Sequence, residues 1–446
     1  MNRRTFFSKI AKAVSGDVGA KMTMRSNLHG DKASLLGFGM MRLPLLPGAE
    51  GEAAKGYKLV NGKINIDQEA VNRMVDYAIE NGVNYFDTAP AYALGYSEVV
   101  TGIALSRHPR EKWRVATKAS NFAKSMWPLE KSKEMYRKSF ENLKTDRIDY
   151  YLLHACGVGK GFSDFEERFL KNGFLDFLVK EREAGRIKNL GWSYHGDYKC
   201  VRWFLENHSK YKWDFAQIQL NYLDWRHAQA VNKRNRNAEF LYNELTARSI
   251  PVVVMEPLLG GRLAKHSDAL STIMTGFDPE ATPAKWALRF AGSHPNVLTV
   301  LSGMTYMEHL AENIDTFSPL KPMGEKEFVA LERVAKSTFN DNSVPCNFCA
   351  YCMPCPYGLD IPGLFAFWNS AVEEGRLPDD PKAPDYRENA RRFLIDYDRQ
   401  IPKLRQADRC TTCGRCNPHC PQGLQIPRQI RKIDKFIENL RRDVNA

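Results

Sequence analysis

Ten cysteines are spread unevenly along the 446-residue chain, and their spacing is the first feature that could carry chemistry. Cys156 and Cys200 stand alone, whereas the other eight fall into two short groups near the end of the chain. These eight are Cys346, Cys349, Cys352, Cys355, Cys410, Cys413, Cys416 and Cys420. Secreted disulfide proteins distribute cysteines over a short chain, so close spacing in a long chain indicates thiolate metal ligands in a reducing compartment.

Both groups follow one pattern. Three cysteines two residues apart let three thiolates face one cubane cluster, and a fourth cysteine precedes Pro356 or Pro421. This spacing resembles that of bacterial ferredoxins with two 4Fe–4S clusters, in which the fourth cysteine binds the other cluster. The resemblance implies two ligand sets: Cys346, Cys349, Cys352 and Cys420 for one cluster, and Cys410, Cys413, Cys416 and Cys355 for the other.

Two departures from the ferredoxin pattern concern the shape of this domain. The first group closes with two intervening residues rather than three, and residues 356–409 separate the groups. The long separation favours a mainly α-helical ferredoxin-like domain over a compact one. Zinc is the alternative, because cysteines two residues apart also bind zinc tetrahedrally. Two runs of four cysteines, each followed by proline, favour clusters. The isolated Cys156 and Cys200 are expected to be ordinary buried side chains.

A second set of reactive side chains follows three predicted strands. Asp87 and Tyr92 follow the second strand, Lys118 ends the third, and His154 ends the fourth. A nearby ammonium group lowers the pKa of a phenol, so Tyr92 could exchange a proton with a carbonyl oxygen. Lys118 would supply the charge and Asp87 would hold the lysine, while His154 would orient the carbonyl. This set predicts carbonyl reduction or alcohol oxidation.

The elements that position these side chains read as a (β/α)8 TIM barrel. Eight apolar runs predict strands: Leu35–Met41, Val83–Phe86, Trp113–Thr117, Ile148–Leu153, Asn189–Trp192, Phe215–Leu220, Val252–Met255 and Leu298–Leu301. Amphipathic stretches between them predict helices: Gln68–Glu80, Ser97–Ser106, Ser132–Leu143, Phe165–Glu183 and Asn237–Arg248. Strand ends at the carboxyl face of such a barrel are where catalysis occurs. A doubly wound sheet would begin with a glycine-rich phosphate turn, which is absent.

The remaining segments complete a two-domain α/β organisation. Met22–Leu28 and Lys32–Leu36 predict a β-hairpin that closes the barrel floor, and residues 45–66 predict a surface insertion. Helices are predicted in the last part of the chain: Glu325–Ser337, Ile361–Glu374, Tyr386–Ile401 and Ile426–Arg442. The predicted domains are an N-terminal tail at 1–21, the barrel at 22–320 and the iron–sulfur domain at 321–446.

The sequence motifs at the reactive strand ends resemble those of the aldo-keto reductase family. They are Asp-Thr-Ala-x-x-Tyr at Asp87–Tyr92, Thr117-Lys118, and Asp-x-x-Leu-Leu-His at Asp149–His154. The resemblance covers about residues 22–320 and implies an oxidoreductase. Its catalytic residues would be Asp87, Tyr92, Lys118 and His154, acting on a small carbonyl, alcohol or sugar-like substrate.

The same resemblance implies a nicotinamide cofactor, NADPH or NADH. Residues at the family's cofactor positions are Ser193, Gln217, Leu258, Gly260, Glu312 and Asn313. The chain departs from the family at Tyr194, where asparagine is usual, and at Met255, where an aromatic ring stacks on nicotinamide. Gly303 stands where NADPH-selective members carry a lysine. Gly303 argues against selectivity for NADPH, and the departures together leave weak or absent nicotinamide binding as the alternative.

Charge and hydropathy limit the class of partner. The chain carries a formal net charge of +12 and a sequence pI of about 9.1. A basic balance suits nucleic acid, anionic lipid or an acidic redox partner, but no nucleic-acid motif accompanies it, so a solvated basic surface is preferred. No run of about eighteen apolar residues predicts a membrane span.

The N-terminal segment bears on location. Arg-Arg-x-Phe-Phe, beginning at Arg3, resembles a twin-arginine export signal. Lys9, Lys12 and Asp17 interrupt the apolar region that such a signal needs. We therefore expect a degenerate signal, a disordered tail and a cytoplasmic protein, with periplasmic export by the twin-arginine route as the alternative.

The predicted barrel and the predicted iron–sulfur domain would transfer different numbers of electrons in one step. A nicotinamide delivers two electrons as hydride and a 4Fe–4S cluster moves one, and no flavin fingerprint links them. The leading hypothesis is an aldo-keto-reductase-type oxidoreductase with Tyr92 as general acid–base, coupled to or supported by the clusters. The alternative is a ferredoxin-like electron carrier that serves a redox partner protein and uses the barrel as a docking scaffold. A scaffold would not need the four reactive side chains. Nucleic-acid binding, a third reading, predicts salt-sensitive retention on DNA.

Overall fold

The structure is a computed structural model, and it describes residues 21–48, 56–265, 268–279, 281–339 and 343–445. The strands in these ranges are β1 Met24–Ser26, β2 Lys32–Ser34, β3 Leu36–Gly39, β4 Leu59–Val60, β5 Lys63–Ile64, β6 Tyr85–Asp87, β7 Arg114–Ala119, β8 Ile148–Cys156, β9 Ile187–Tyr194, β10 Phe215–Gln219, β11 Val252–Met255 and β12 Val297–Ser302. The twin-arginine-like segment and residues 49–55 of the predicted insertion lie outside the described residues.

The α-helices in these ranges are α1 Gln68–Glu80, α2 Ser97–Leu105, α3 Leu129–Leu143, α4 Phe162–Phe165, α5 Phe174–Glu183, α6 Tyr198–Glu206, α7 His208–Tyr211, α8 Asp224–Val231, α9 Ala238–Thr246, α10 Asp268–Thr275, α11 Pro283–Gly292, α12 Met307–Thr316, α13 Glu325–Phe339, α14 Ile361–Glu373, α15 Tyr386–Gln400 and α16 Ile426–Asn445. No helix among the described residues is both long and apolar enough to cross a bilayer.

Eight parallel strands close into a barrel in the order β10-β11-β12-β3-β6-β7-β8-β9. Each overlaps one of the eight predicted strands, so the predicted (β/α)8 fold is confirmed. Parallel strands of this kind are covered on both faces, and β8 is accordingly buried at every position. The long apolar runs of the sequence are the direct signature of that double burial.

The predicted hairpin closes the amino end of the barrel. Strands β1 and β2 pair antiparallel, with Arg25 opposite Ala33. Beyond β1, the Asn27 side-chain amide reaches the barrel interior, where it donates to the Tyr150 hydroxyl at 3.1 Å and to Asn189 Oδ1 at 3.2 Å. The floor of the barrel is therefore sealed by polar contacts, and access to the interior is left to the opposite end.

One predicted helix, Phe165–Glu183, is wrong as a single element. The chain forms α4, then a π-helical turn at Glu166–Leu170, and starts α5 only after Gly173, which has a φ of 74°. The physical reason is Arg168, which turns inward and donates to the His154 carbonyl oxygen at 2.7 Å.

The apolar interior forms two main clusters, one in the barrel and one in the last part of the chain. The barrel cluster extends to Leu331, Val334 and Ala335 of α13. The other begins at Val344 and is built by α14, α15 and α16, so the last part of the chain is mainly helical, as predicted. The domain limits at residues 320 and 321 stay a prediction.

His294 beside the barrel floor makes stability depend on pH. Burial, reinforced by Arg25, lowers the pKa of His294 to about 4, whereas an exposed histidine titrates near 6.5. Between those values the unfolded chain takes up a proton that the folded chain does not, so the free energy of unfolding falls as the pH decreases. The loss is on the order of 2 kcal/mol at about pH 5.

We expect His294→Phe, which can keep the ring stacking on Trp225 at 4.4 Å, to lack this contribution. Anaerobic urea unfolding of the cluster-loaded wild type and variant at about pH 7 and about pH 5 measures it. The variant should gain stability relative to the wild type on acidification. A pH-independent difference would contradict the prediction.

Candidate active site

The four predicted catalytic side chains converge at the carboxyl end of the barrel. Asp87 ends β6, Lys118 lies in β7 and His154 lies in β8. Tyr92 starts the short 3-10 turn that follows β6. All four side chains are buried, so their mutual contacts, rather than solvent, determine their charge states.

Lys118 and Asp87 form a buried ion pair beneath the site. The Lys118 ammonium donates to Asp87 Oδ1 at 2.5 Å and to the Thr88 carbonyl oxygen at 2.8 Å. Burial lowers the pKa of Lys118 and raises that of Asp87, while the direct contact opposes both shifts. An unpaired charge at this depth would cost several kcal/mol, so each partner fixes the other in place.

The Tyr92 ring lies over this pair, with the Lys118 Nζ atom 4.8 Å from the ring centroid. Burial raises the pKa of Tyr92 well above the usual value, and the nearby Tyr351, Asp87 and Glu256 add to the shift. This direction is opposite to the one expected from the sequence. The reason is that the lysine charge is compensated by Asp87, whereas desolvation of the phenol is not compensated. Tyr92 is therefore held in its protonated, donating form.

His154 completes the set as a neutral imidazole. Burial, with Lys118 and His195 contributing, lowers its pKa well below the ordinary value. Its Nδ1 atom shares a hydrogen bond with the Ser120 hydroxyl at 2.6 Å, and its ring meets that of Tyr92 edge-on at 5.8 Å. With Nδ1 engaged, Nε2 is the nitrogen left for a ligand. Ser120 was not predicted, although it lies two residues beyond Lys118 on the same strand end.

A cavity of about 330 Å³ opens above these residues. Asp87, Tyr92 and His154 line it from the barrel, and Lys118 lies behind them. Part of the wall comes from the first cysteine segment, through Asn347, Cys349 and Tyr351. The iron–sulfur domain is thus part of the candidate active site, a contribution that the sequence did not reveal.

Asn347 holds the cysteine segment against the barrel. Its carbonyl oxygen accepts from the Arg42 guanidinium at 2.6 Å, and its side-chain amide donates to Glu256 Oε1 at 2.9 Å. A third contact is with Gly260, where a Cβ atom would lie 2.2 Å from that same carbonyl oxygen. Only glycine permits this approach, so the open side of Gly260 faces the iron–sulfur domain.

The predicted cofactor residues are brought together with one exception. Five of them line the cavity: Gln217, Leu258, Gly260, Glu312 and Asn313. Gln217 Oε1 is buried and has no hydrogen-bond partner among the described residues. Ser193 does not line the cavity, because its hydroxyl accepts from the Ala155 amide at 2.8 Å inside the barrel wall.

The cysteines meet as the ferredoxin resemblance implies. Four of them line one small cavity of about 20 Å³, namely Cys346, Cys349, Cys352 and Cys420. Cys420 thus joins the first group although it belongs to the second group in sequence. Cys410, Cys413 and Cys355 all lie near enough to Cys416 to raise the pKa of its thiol. These four cysteines are the ligand set implied for the second cluster.

The donor set fits a cluster better than a single ion. Within the described ranges, no three His, Cys, Asp or Glu side chains lie close enough together to hold one metal ion. A tetrahedral zinc site needs four ligands around one point, whereas a cubane separates its thiolates. Four thiols around a small apolar-walled cavity therefore fit a 4Fe–4S cluster.

Comparison with known proteins settles the class. The model of the Aldo/keto reductase family matches residues 55–335. The chain belongs to the aldo/keto reductase family. The model of the 4Fe-4S dicluster domain matches residues 345–425, immediately after the barrel. The predicted fusion of an oxidoreductase barrel with an iron–sulfur domain is confirmed, and nothing in the matches favours a carrier that only transfers electrons.

Individual relatives agree with this assignment. The chain is 25% identical over 285 residues to the uncharacterized oxidoreductase YqkF of Bacillus subtilis (strain 168), covering 59% of this chain and 87% of that protein. Aldo-keto reductase AKR11C1 from Bacillus halodurans, in its holo form, has the same fold with a TM-score of 0.54 at 21% identity, over 71% of this chain and 97% of that chain. An aldo-keto reductase from Klebsiella pneumoniae in complex with NADP and acetate gives a TM-score of 0.52 at 21% identity, over 71% and 95%.

Serine substitutions test the ligand sets through their combinations. Cys420→Ser should remove or convert one cluster and lower bound iron by up to about half, since each cluster holds four of the eight irons. Adding Cys349→Ser should cost little more iron, because both residues serve the same cluster. Adding Cys413→Ser instead should abolish both clusters. Iron analysis and electron paramagnetic resonance of the reduced proteins measure this.

The control is Cys200→Ser, because this buried barrel cysteine lies outside both sets. Its iron content should equal that of the wild type. If Cys420→Ser combined with Cys349→Ser lost both clusters while the combination with Cys413→Ser lost one, the exchange of ligands between groups would be wrong.

Proposed function

We propose that this aldo/keto reductase interconverts a carbonyl and an alcohol on a small molecule bound in the cavity, with Tyr92 as general acid–base. The observation that carries the proposal is that the Tyr92 phenol, the His154 imidazole and the buried Lys118–Asp87 ion pair meet at one cavity, where burial raises the pKa of the phenol and lowers that of the imidazole. In reduction, two electrons and two protons convert one carbonyl group to one alcohol. The cavity accepts carbonyl, alcohol or sugar-like substrates by the same chemistry.

The proton chemistry follows from the geometry. The Tyr92 hydroxyl donates its proton to the carbonyl oxygen as negative charge develops there. The phenolate formed is stabilised by the Lys118 ammonium, which lies 4.8 Å from the ring centroid. Asp87 keeps that ammonium in place. His154 Nε2, with Nδ1 engaged by Ser120, donates a hydrogen bond that orients the substrate oxygen.

A nicotinamide is the proposed two-electron donor. The resembling structure from Klebsiella pneumoniae is in complex with NADP. In this chain, the partnerless Gln217 Oε1 suits the carboxamide, and Glu312 and Asn313 line the same cavity for the adenine end. Bound there, the nicotinamide would supply hydride. Asn347 narrows the space beside Gly260, where a pyrophosphate would approach.

The clusters are proposed to be coupled to the cavity rather than remote from it. The cluster held by Cys346, Cys349, Cys352 and Cys420 would supply or accept single electrons. Cys349 and Tyr351 line the same cavity as Tyr92, so the residues of this domain also shape the substrate site and exclude water from it. A purely structural role would not require a ligand cysteine in the cavity wall.

Removal of the Tyr92 hydroxyl tests the acid–base role. We expect Tyr92→Phe to lower turnover by ~10²–10⁴-fold, the usual contribution of a positioned proton donor. The measurement is a rate screen of cluster-loaded protein against small aldehydes, α-dicarbonyls, ketones and aldose sugars, with NADPH, NADH or a viologen as donor. Unchanged turnover in the variant would refute the role.

A matched control is Tyr85→Phe. Tyr85 is a fully buried barrel tyrosine whose hydroxyl has no hydrogen-bond partner among the described residues. Loss of that hydroxyl should leave turnover at the wild-type value. An equal loss in both variants would show that packing, rather than proton transfer, explains the effect of Tyr92→Phe.

Calorimetric titration of NADPH, then NADH, into anaerobic, iron-verified protein tests the nicotinamide. We expect binding, and Gln217→Leu should weaken it by about tenfold through loss of one carboxamide hydrogen bond. Gln219→Leu, two residues along β10, changes a side chain that does not line the cavity and should have no such effect. If the wild type binds neither nucleotide, the nicotinamide proposal fails and the clusters become the source or sink of electrons.

A further inference from the structure

The second cluster set differs from the first in its exposure. All ten cysteines lie in the described part of the chain, and only Cys413 is exposed. Cys349 of the first set lines the catalytic cavity, whereas no cysteine of the second set is among the described residues that line it. The second set thus has an outward-facing ligand and no contact with the substrate site.

The segment that carries Cys413 is basic. Residues 402–416 contain four cationic side chains, Lys403, Arg405, Arg409 and Arg415, against the single acid Asp408. Arg409 and Arg415, on either side of Cys413, are both exposed. From α16, the Arg431 guanidinium donates to the Thr412 hydroxyl at 3.3 Å, which adds a further cation beside Cys413.

An exposed apolar pair has one member within this basic segment and the other beside it. Leu404 is 71% exposed and Tyr357 is 46% exposed. Leu404, in the 3-10 turn Lys403–Arg405, lies beside the loop of Tyr357, because a Cβ atom at Gly358 would lie 3.5 Å from the Leu404 carbonyl oxygen. Tyr357 follows Cys355, a ligand of the same second set. An apolar centre with a charged rim is the usual composition of a protein interface.

We propose that this surface docks an acidic one-electron carrier protein of the flavodoxin or ferredoxin class. The surface consists of Tyr357, Leu404, Arg405, Arg409, Arg415 and Arg431 around Cys413, and we refer to it as the carrier-docking surface. Its charge complements an acidic partner, which accelerates the encounter. The exposed cluster cysteine Cys413 favours a redox protein as the occupant, since a nucleic acid or an anionic bilayer could use the cations and the apolar pair but would gain nothing from a cluster beneath them.

The proposal rests on the proposed function only in taking the carbonyl substrate as the final electron acceptor. The number of electrons balances. Each carrier is oxidised by one electron, so two reduced carriers supply the two electrons that, with two protons, convert one carbonyl to one alcohol. In the opposite direction, two oxidised carriers accept them. A one-electron partner matches the single-electron clusters, and this route supplies electrons to the carbonyl one at a time, in place of hydride from a nicotinamide.

The experiment uses the cluster-loaded full chain and a reduced bacterial flavodoxin, whose flavin absorbance reports its oxidation in a stopped-flow mixer. We expect Arg409→Glu combined with Arg415→Glu to slow second-order electron transfer by roughly tenfold or more and to remove its salt dependence. Iron content and paramagnetic resonance spectra should match those of the wild type, which shows that the clusters are intact.

The control is Lys112→Glu combined with Lys144→Glu, which makes the same change in net charge. These exposed lysines precede β7 and β8, at the end of the barrel opposite the cavity. Their reversal should leave the rate near the wild-type value. Equal rates for the wild type and Arg409/Arg415 variant, or equal slowing in both charge variants, would overturn the proposal.

Two further measurements separate the remaining outcomes. The first tests the Arg409/Arg415 variant for retention on DNA and on phosphatidylserine vesicles. Lost retention together with an unchanged rate of electron transfer from flavodoxin would also overturn the proposal. Flavodoxin should reduce Tyr92→Phe at the wild-type rate, because docking does not involve the cavity. Failure of the acid–base role would appear instead as undiminished turnover in that variant, with docking intact.

Discussion

The contact between Asn347 and the barrel mouth is the constraint on which the arrangement of this protein depends. A single backbone carbonyl oxygen accepts from Arg42 and lies against Gly260, while the side-chain amide of the same residue donates to the Glu256 carboxyl group. Arg42 follows β3, whereas Glu256 and Gly260 both follow β11, so two barrel loops fix the cysteine segment in both position and orientation. Cys349 and Tyr351 reach the cavity as a consequence.

Beneath that wall, charge compensation determines what the site can do. Lys118 is fully buried and is tolerated only because Asp87 and the Thr88 carbonyl oxygen receive its hydrogen bonds. Because Asp87 compensates the charge of Lys118, the ion pair does not lower the pKa of the buried Tyr92 phenol enough to ionise it. Tyr92 therefore stays protonated. The neutral His154 imidazole keeps a second positive charge out of the same volume. With both rings neutral and the ion pair compensated, the resting site holds no free charge, and the Tyr92 hydroxyl remains able to donate a hydrogen bond into the cavity.

Much of the fold and of the site was predictable because its signals are local. Doubly buried parallel strands read as apolar runs, and β11 matches its predicted range, Val252–Met255. Cysteine spacing encodes cluster geometry, and residues at strand ends share one face of any barrel. The features that could not be predicted are non-local: Arg168, in the π-helical turn that interrupts a predicted helix, reaches the His154 carbonyl oxygen, and the Ser193 hydroxyl binds the Ala155 amide within the barrel wall. No periodicity in the sequence indicates that Asn347 packs against Gly260.

The shared wall of the cavity has a consequence for how the enzyme matures. The segment around Cys346 to Cys355 contains no helix or strand among the described residues, so its shape depends on its ligated thiolates and on the contacts of Asn347. A barrel that folds first has an open mouth until iron and sulfide arrive. Iron supply would then limit the completion of the cavity wall, and iron-starved cells would accumulate a folded but unfinished protein.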